Sequence, residues 1–446
     1  MDYSDFINRK TNIGADSGFD PLWMPGSLFD FQQALTEWAI RKGRAAIFAD
    51  CGLGKTPMQL VWAENVVRKT NGRVLILTPL AVGAQTVREG EKFGVDCHQS
   101  RDGKWPQDKR IIITNYEKLH LFDAGDFAGC VCDESSILKN YAGKRRDEIT
   151  SFMGIMKFRL LCTATAAPND YVELGTSSEA LGYLRRVEML AMFFTHDSKS
   201  TQKWGLKGHA ERRFWKWVCY WARACRKPSD IGFTDNNFNL PTLKMREHIV
   251  ESAEPLEGWL FDMPVVTLDE QRHERKRTIN ERCEMAASIV NAHNESAVCW
   301  GYLNPECDLL TKLIPDAEQV SGADSDERKE DVFERFRNGD IRVLVTKPVI
   351  GAWGLNWQHC AHQTFFPSHS FEQLYQAIRR SWRFGQKNPV TIDMISSTGE
   401  RGVMQNIERK AEQADRMFAE LVRLIDSPKR EKTVTKKQKT EVPSWL

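Results

Sequence analysis

The stretch AIFADCGLGKTPMQL, residues 46–60, decides the fold of the first half of the chain. An apolar run predicts a strand, a turn containing Gly52 and Gly54 follows, and a helical pattern begins at Lys55. The two glycines let the backbone curl so that N–H groups and the start of the helix point at a phosphate. Lys55 can reach the β- and γ-phosphate oxygens, and the Thr56 hydroxyl can bind Mg²⁺. The residues predicted to hold a nucleotide here are Gly52, Leu53, Gly54, Lys55 and Thr56.

A pair of acids stands at the end of another predicted strand, GCVCDE, which closes with Asp133 and Glu134. Ligands of open α/β sheets collect at the carboxyl ends of the strands, so the pair is expected beside the glycine-containing turn. We predict that Asp133 holds Mg²⁺ through water and that Glu134 orients and deprotonates the water that attacks ATP. The alternative is two solvated acids at a strand end.

Short apolar strands alternate with helical patterns twice, which predicts an α/β protein with two parallel sheets. The first unit carries AAIFAD, RVLILTP, RIIITN, GCVCDE and FRLLCTA, and the second carries SAVCWGYL, IRVLVTKP, AHQTFFP and PVTIDMIS. Residues 181–250 are interpreted as helical and as part of neither sheet. The predicted boundaries are 1–27 for an N-terminal segment, 28–180 for the first lobe, 181–262 for a Trp-rich, basic helical insertion and linker, 263–426 for the second lobe and 427–446 for a basic tail.

The composition is that of an ordinary globular protein, with 446 residues, a formal net charge of +2, 41% hydrophobic and 27% charged residues. No apolar run approaches the roughly 20 residues of a membrane span, and the start of the chain lacks a secretory stretch, which predicts a cytoplasmic protein. The eleven cysteines contain no CxxC pair, so reduced core cysteines are favoured over a disulfide or zinc framework. The cluster His359, Cys360 and His362 is interpreted as a packed strand end, and no metal ligand is assigned to it.

Basic charge is concentrated in two stretches, one running from Lys199 to Lys227 and the other forming the tail. The first stretch also contains Trp204, Trp215, Trp217 and Trp221. Aromatic and basic side chains can hold nucleic acid, but the tryptophan spacing also suits the packing of a helix, and we favour packing. The tail is either a nonspecific phosphate binder or a solubilising end.

Along most of residues 28–410 the chain resembles the superfamily 2 helicases, and the Snf2 branch in particular. ADCGLGKTPMQ resembles the helicase form of the phosphate loop, with Ala49 in place of the first glycine, and DESSILKN resembles DEAH-x-x-KN, with Ser136 in place of the histidine. CTATAAPNDYVEL resembles LTGTPLQNNLxEL. The resemblance implies that Gln32 reads adenine. It also implies nucleic-acid contacts at or near Pro79, Thr114, Lys139, Asn140 and Asn169.

In the second half, TKPVIGAWGLNWQHC resembles GGxGLNL, and SFEQLYQAIRRSWRFGQKNPV resembles QAxDRxHRxGQxxxV. The resemblance implies that Arg380 and Arg383 act on the γ-phosphate when two lobes close, and their spacing puts both on one helical face. Such arginine fingers contribute a factor of about 10³ to 10⁵ in rate. An exposed, salt-bridged arginine pair is the alternative. The residues of this half expected at the nucleotide are Gly354, Asn356, Gln376, Arg380 and Arg383.

The resemblance implies two tandem RecA-like lobes with an ATP cleft between them, ATP and Mg²⁺ as cofactors, and DNA as partner, with the duplex favoured over single strands. The expected activity is DNA-dependent ATP hydrolysis that drives a duplex translocase or remodeller. Open alternatives are a strand-separating helicase, a nucleotide-gated DNA-binding protein acting through a partner, and an RNA-directed ATPase. LKGHAERRFWKWV, RKPSDIGF and the WRFGQ block look like segments of bacteriophage and prophage helicases, which would place the protein in a bacterial host.

Overall fold

The structure, a computed structural model, describes residues 17–139, 143–197, 200–251, 268–351 and 355–425. Several positions singled out from the sequence lie outside these ranges. They are Asn140, Lys199, Gly354, residues 1–16 of the N-terminal segment, residues 252–262 of the linker and the tail 427–446.

The first lobe is a parallel sheet with helices on both faces. The strands of the whole lobe are β1 (Arg44–Ala49), β2 (Arg73–Thr78), β3 (Cys97–Gln99), β4 (Ile111–Asn115), β5 (Phe127–Asp133), β6 (Phe158–Cys162), β7 (Phe194–Asp197), β8 (Ser200–Leu206) and β9 (Ala222–Cys225). In the described residues the sheet has the order β3-β4-β2-β5-β6-β1-β9, and β7 and β8 form a separate antiparallel pair. The central strands are buried on both faces, as is typical of parallel sheets.

The helices of this lobe begin and end at local signals. They are α1 (Asp30–Lys42), α2 (Lys55–Thr70), α3 (Gly83–Phe93), α4 (Lys144–Ile155), α5 (Leu174–Leu181), α6 (Arg186–Phe193) and α7 (Glu211–Trp221). For example, α1 ends at Gly43, whose φ of 75° suits a residue without a side chain.

The second lobe repeats the plan. Its strands are β10 (Leu243–Val250), β11 (Ala297–Trp300), β12 (Ala317–Val320), β13 (Val343–Thr346), β14 (His362–Phe365) and β15 (Val390–Ser397). Its helices are α8 (Leu268–Arg277), α9 (Ile279–Asn291), α10 (Asn304–Leu313), α11 (Asp326–Asn338), α12 (Pro348–Gly351), α13 (Phe371–Ser381) and α14 (Arg401–Ile425). Within the described ranges, six parallel strands have the order β10-β15-β14-β11-β13-β12. The predicted fold class, α/β with two tandem parallel-sheet lobes, is confirmed.

The interpretation of residues 181–250 as helical and outside both sheets is wrong. Strand β9 is one edge strand of the first sheet, beside β1, and β10 is one edge strand of the second, beside β15. The hairpin β7–β8 also lies in this region. A strand of four residues, ARAC, is too short to show periodicity, and β10 has a mostly exposed pattern because it lies at an edge.

The tryptophan-rich helix α7 packs into the first lobe. Trp215 and Trp221 are completely buried and Trp217 is 9% exposed, so the packing interpretation is confirmed for these three. Trp204 lies on β8, and its ring centroid is 3.6 Å from that of His196 on β7.

The last helix, α14, belongs by sequence to the second lobe but ends in the core of the first. Met417, Phe418 and Leu421 join the same apolar cluster as Trp215 and the inner strands of the first sheet. Two ion pairs flank this contact, Arg416–Glu211 at 2.7 Å and Arg226–Asp415 at 2.6 Å. The helix therefore joins the second lobe to the first by a packed apolar contact, in addition to the covalent linker before β10.

Candidate nucleotide site between the lobes

The glycine-containing turn lies between β1 and α2 and faces the second lobe. Gly52 and Gly54 have φ angles of 87° and 76°, which only glycine adopts without strain. A Cβ at Gly52 would lie 2.8 Å from the backbone nitrogen of Phe384, so the second lobe approaches the turn closely here. On the other side, Gln32 Nε2 donates to the Leu53 carbonyl at 2.9 Å. The turn is thus held between α1 and the second lobe.

Lys55 and Thr56 open the 16-residue helix α2. The Lys55 ammonium donates to the Ala49 carbonyl at 3.0 Å, which folds it back over the turn. The first N–H groups of a helix lack intrahelical partners, and together with the helix dipole they favour an anion at this end. The predicted phosphate-binding residues are therefore together in one turn.

The acid pair lies at the end of β5, two strands away from β1. Gln59 Nε2 donates to Asp133 Oδ1 at 2.6 Å, and Thr163, which follows the intervening β6, donates to Glu134 Oε2 at 3.1 Å. Burial and, after it, the Glu134 charge together raise the pKa of Asp133 to about 6, although Gln59 and Lys55 oppose the rise. Glu134 has a φ of 51°, a left-handed conformation that costs energy in a non-glycine residue.

The Thr56 hydroxyl and Asp133 carboxylate supply the oxygen ligands that Mg²⁺ prefers. No cluster of three or more His, Cys, Asp or Glu side chains suited to a metal ion occurs among the described residues. Mg²⁺ commonly keeps several waters and completes its shell with substrate phosphates, so one or two protein oxygens can hold it. The residues present therefore fit the expected ion.

Helix α13 and the turn after it carry the second-lobe half of the site. Arg380 lies on the helix, but Arg383 lies two residues beyond its end, so the prediction that both arginines lie on one helical face is wrong. Arg380 donates to the Leu355 carbonyl at 2.8 Å and to Gln376 Oε1 at 2.9 Å, and Arg383 donates to the same carbonyl at 3.0 Å. Gln376 reaches across the interface, with Nε2 3.5 Å from Glu134 Oε2. The structure thus brings Gln376 and both arginines together with the phosphate turn and the acid pair.

Neither Arg380 nor Arg383 has a carboxylate partner within the part of the chain that the structure describes, and Arg383 Nε is buried without a hydrogen-bond partner there. Burial and, after it, the charge of Arg380 together lower the pKa of Arg383 to about 10. Burial likewise lowers the pKa of Arg380. Two cations of this kind, facing a phosphate turn, form a site for a multiply charged anion.

An ion pair that the sequence analysis missed crosses the interface. Arg379 of α13 contacts Asp50 of the phosphate turn, and the Tyr375 hydroxyl donates to the same carboxylate. Burial lowers the pKa of Arg379 to about 9, with Arg383 and Arg380 adding to the effect. The sequence signal was the arginine at the position where QAxDRxHRxGQ has an acid, but only the fold brings it to Asp50.

The residues expected to contact nucleic acid have different surroundings. Lys139 forms an ion pair with Glu372 of α13, and burial lowers the Lys139 pKa. Asn169 donates to Glu173 at 2.8 Å and accepts from Lys410 of α14 at 2.8 Å. Both residues therefore contact the second lobe or its last helix.

Pro79 and Lys139 line an interlobe cleft of about 520 Å³. Thr114 is buried, and its hydroxyl donates to the Ser100 carbonyl at 2.9 Å, so its side chain does not reach the surface. The Asn356 Oδ1 is buried without a partner among the described residues. Contacts of these residues with ligands stay predictions.

The comparisons with known proteins give partial matches. No family model matches the chain. A 128-residue stretch is 36% identical to the bifunctional helicase and thymine dioxygenase JBP2 of Leishmania infantum and of Leishmania major. This stretch is 27% of the chain and only 12% of the length of those relatives.

Among solved structures, the Sulfolobus solfataricus SWI2/SNF2 ATPase core in complex with dsDNA is similar at 15% identity and a TM-score of 0.42, over 93% of this chain and 97% of that one. No helix in the described residues has the length and apolar character needed to cross a membrane.

Proposed function

We propose that this chain is a DNA-dependent ATPase of the Snf2-like kind that moves along duplex DNA and remodels DNA or DNA-bound protein. The observation that carries the proposal is the split site. The phosphate turn and acid pair lie on the first lobe, and Arg380 and Arg383, without carboxylate partners in the described residues, face them from the second. The relatives named as helicases support a nucleic-acid substrate.

The roles of the residues follow from this geometry. Lys55 and the start of α2 bind the phosphates, and Mg²⁺, when bound at Thr56 and Asp133, would neutralise phosphate charge. Glu134 takes a proton from water as that water attacks the γ-phosphorus, and the bond to the ADP oxygen breaks. Arg380 and Arg383 stabilise the charge on the transferred group. Loss of that group removes the anion that links the lobes.

Alternate closing and opening of the lobes would move nucleic-acid contacts on one lobe relative to the other. Lys139 and Asn169 support this coupling because both contact second-lobe elements, α13 and α14. A change in the lobe interface therefore reaches the residues proposed to bind DNA. Strand separation is the second candidate function, favoured by the relatives' printed name of helicase.

Steady-state ATP hydrolysis without nucleic acid and with single-stranded DNA, duplex DNA or RNA tests the proposal. Duplex DNA should stimulate the wild type most, and Lys55→Ala should abolish hydrolysis. Lys69→Ala removes the same charge at the far, exposed end of the same helix and is the matched control. Absence of hydrolysis under all conditions would overturn the proposal. A second assay separates the two candidate functions: a duplex translocase should displace the third strand of a triplex, whereas a strand-separating helicase should unwind a tailed duplex.

A further inference from the structure

A carboxylate of the phosphate turn is held by two residues of the second lobe. Asp50 belongs to the turn and is 4% exposed, while Arg379 and Tyr375 belong to α13. The Arg379 guanidinium donates to Asp50 Oδ2, and the Tyr375 hydroxyl donates to Asp50 Oδ1. The Cys51 N–H also donates to Oδ1, at 2.6 Å. Asp50 therefore connects α13 to the backbone that would hold the phosphates.

Each side of this contact is fixed within its own lobe. The Asp50 N–H donates to the Cys225 carbonyl at the end of β9, at 2.9 Å. On the second lobe, Arg379 Nη1 donates to the Trp382 carbonyl at 3.1 Å, and the guanidinium lies over the Trp382 ring at 4.5 Å from its centroid. Groups that are already held in place lose little entropy when they pair. The ion pair can therefore fix the position of α13 relative to the turn.

The pair needs no ligand, because both of its charges belong to the chain. Arg380 and Arg383 differ in this respect, since neither has a carboxylate partner within the ranges given above. Arg379 directly precedes Arg380 on α13, so holding the first also places the second. The motif QAxDRxHRxGQ has an acid where Arg379 stands, and an acid there would repel Asp50. The contact is therefore a property of this chain and not of the motif.

We propose that Arg379 is a positioning residue: through Asp50 it holds α13 against the phosphate turn, so that Arg380 faces the γ-phosphate before DNA is bound. This inference rests on the proposed function, in which DNA contacts both lobes. A ligand that binds one arrangement of the lobes better shifts the population towards that arrangement. Duplex DNA bound across the lobes would therefore supply the same restraint. The ion pair sets the rate of ATP hydrolysis without DNA, and DNA compensates for its loss.

Steady-state ATP hydrolysis by Arg379→Gln, with and without saturating duplex DNA, tests the inference. Without DNA the turnover rate should fall roughly 10- to 100-fold, because the buried Asp50 carboxylate then lacks its cation in the closed arrangement. With saturating DNA the fall should be much smaller, so the stimulation by DNA should rise. Arg379→Lys keeps the charge, and its DNA-free rate should lie between those of Arg379→Gln and the wild type. Equal losses with and without DNA would show a merely structural role and would overturn the inference.

Hydrogen exchange of the nucleotide-free protein gives a readout that does not depend on activity. A peptide covering the phosphate turn should exchange faster in Arg379→Gln, because the acceptor of the Cys51 N–H is no longer fixed. Arg282→Gln is the matched control, since it breaks an ion pair with Glu306 in which both side chains are completely buried, but within the second lobe. It should increase exchange in α9 and α10 and leave both the turn and the stimulation by DNA unchanged.

The exchange and hydrolysis experiments separate failure of the inference from failure of the proposed function. Unchanged exchange of the phosphate turn in Arg379→Gln would overturn the inference, whatever the hydrolysis rates. Absence of hydrolysis by the wild type with every nucleic acid would overturn the proposed function instead. In that case the exchange rates would still show whether Arg379 holds the turn.

Discussion

The two halves of the nucleotide site are built differently. On the first lobe the reactive groups are held by their own lobe: Asp133 by Gln59, Glu134 by Thr163, and Lys55 by the Ala49 carbonyl. On the second lobe Arg380 donates to the Leu355 carbonyl and the Gln376 amide oxygen, and Arg383 Nε has no hydrogen-bond partner among the described residues. The first half is pre-organised for chemistry, and the second supplies positive charge that an anion must complete.

Arg383→Ala should give the largest effect in this comparison, because the Arg383 charge matters most when phosphate is transferred. The turnover rate should fall by about 10³- to 10⁵-fold, while ATP affinity changes much less. Rapid-quench hydrolysis together with equilibrium ATP binding measures both. Arg383→Lys keeps the charge without the planar guanidinium, so its turnover rate should lie between those of the wild type and Arg383→Ala. A turnover rate of Arg383→Ala within tenfold of wild type would contradict the proposed division of roles between the two halves of the site.

Asp50→Ala should destabilise the interface, because it leaves the buried Arg379 guanidinium without its carboxylate. The free energy of unfolding should fall by about 3 to 5 kcal/mol, measured by urea denaturation. The double variant Asp50→Leu with Arg379→Leu removes both charges and should recover most of the loss. If the single variant is as stable as wild type, the lobes are not joined through this pair.

Asp133→Asn should stabilise the nucleotide-free protein at pH 8 but not at pH 4. The folded-state pKa of about 6 lies above the ordinary value, so the folded chain binds this proton more tightly than the unfolded chain does. Burying the ionised carboxylate therefore costs stability above pH 6, and the cost disappears as pH falls below about 4. The difference should be roughly 3 kcal/mol.

Thermal unfolding across this pH range measures the effect of Asp133→Asn. Asp96→Asn is the control, because Asp96 is a surface carboxylate with a lysine partner. A pH-independent difference between wild type and Asp133→Asn would contradict a raised pKa. Binding of Mg²⁺ to the wild type should weaken below pH 6, since the ion needs the carboxylate.

Glu372→Gln gives the smallest expected effect and extends the comparison beyond the nucleotide. The substitution frees the Lys139 cation, which should then contact a DNA phosphate. Log affinity should therefore fall more steeply with log salt, by about 1 in the slope. Fluorescence anisotropy with labelled duplex DNA at several salt concentrations measures the slope. Glu420→Gln removes a distant carboxylate paired with Arg423 and should leave the salt slope unchanged. An unchanged slope in Glu372→Gln would remove Lys139 from the DNA contacts.

The sequence predicted the parts of the site that consist of adjacent residues. The phosphate turn and the acid pair each depend on one strand and the turn after it, and local patterns specify these. The arginine pair does not follow its predicted pattern, since Arg380 lies on α13 and Arg383 in the turn beyond its end. Asp50 and Arg379 are 329 positions apart, and nothing local links them. The edge strands β9 and β10 were missed for a related reason, because what makes them strands is a neighbour elsewhere in the chain.

The position of α14 also constrains how the protein is made. The core of the first lobe includes Met417, Phe418 and Leu421, which leave the ribosome about 200 residues after β9. At bacterial or eukaryotic rates of synthesis this delay is roughly 10 to 40 s. During that time the nascent first lobe exposes the apolar surface that α14 later covers. The first domain to be translated is therefore among the last to be completed, and in the interval it exposes the kind of apolar surface that chaperones recognise.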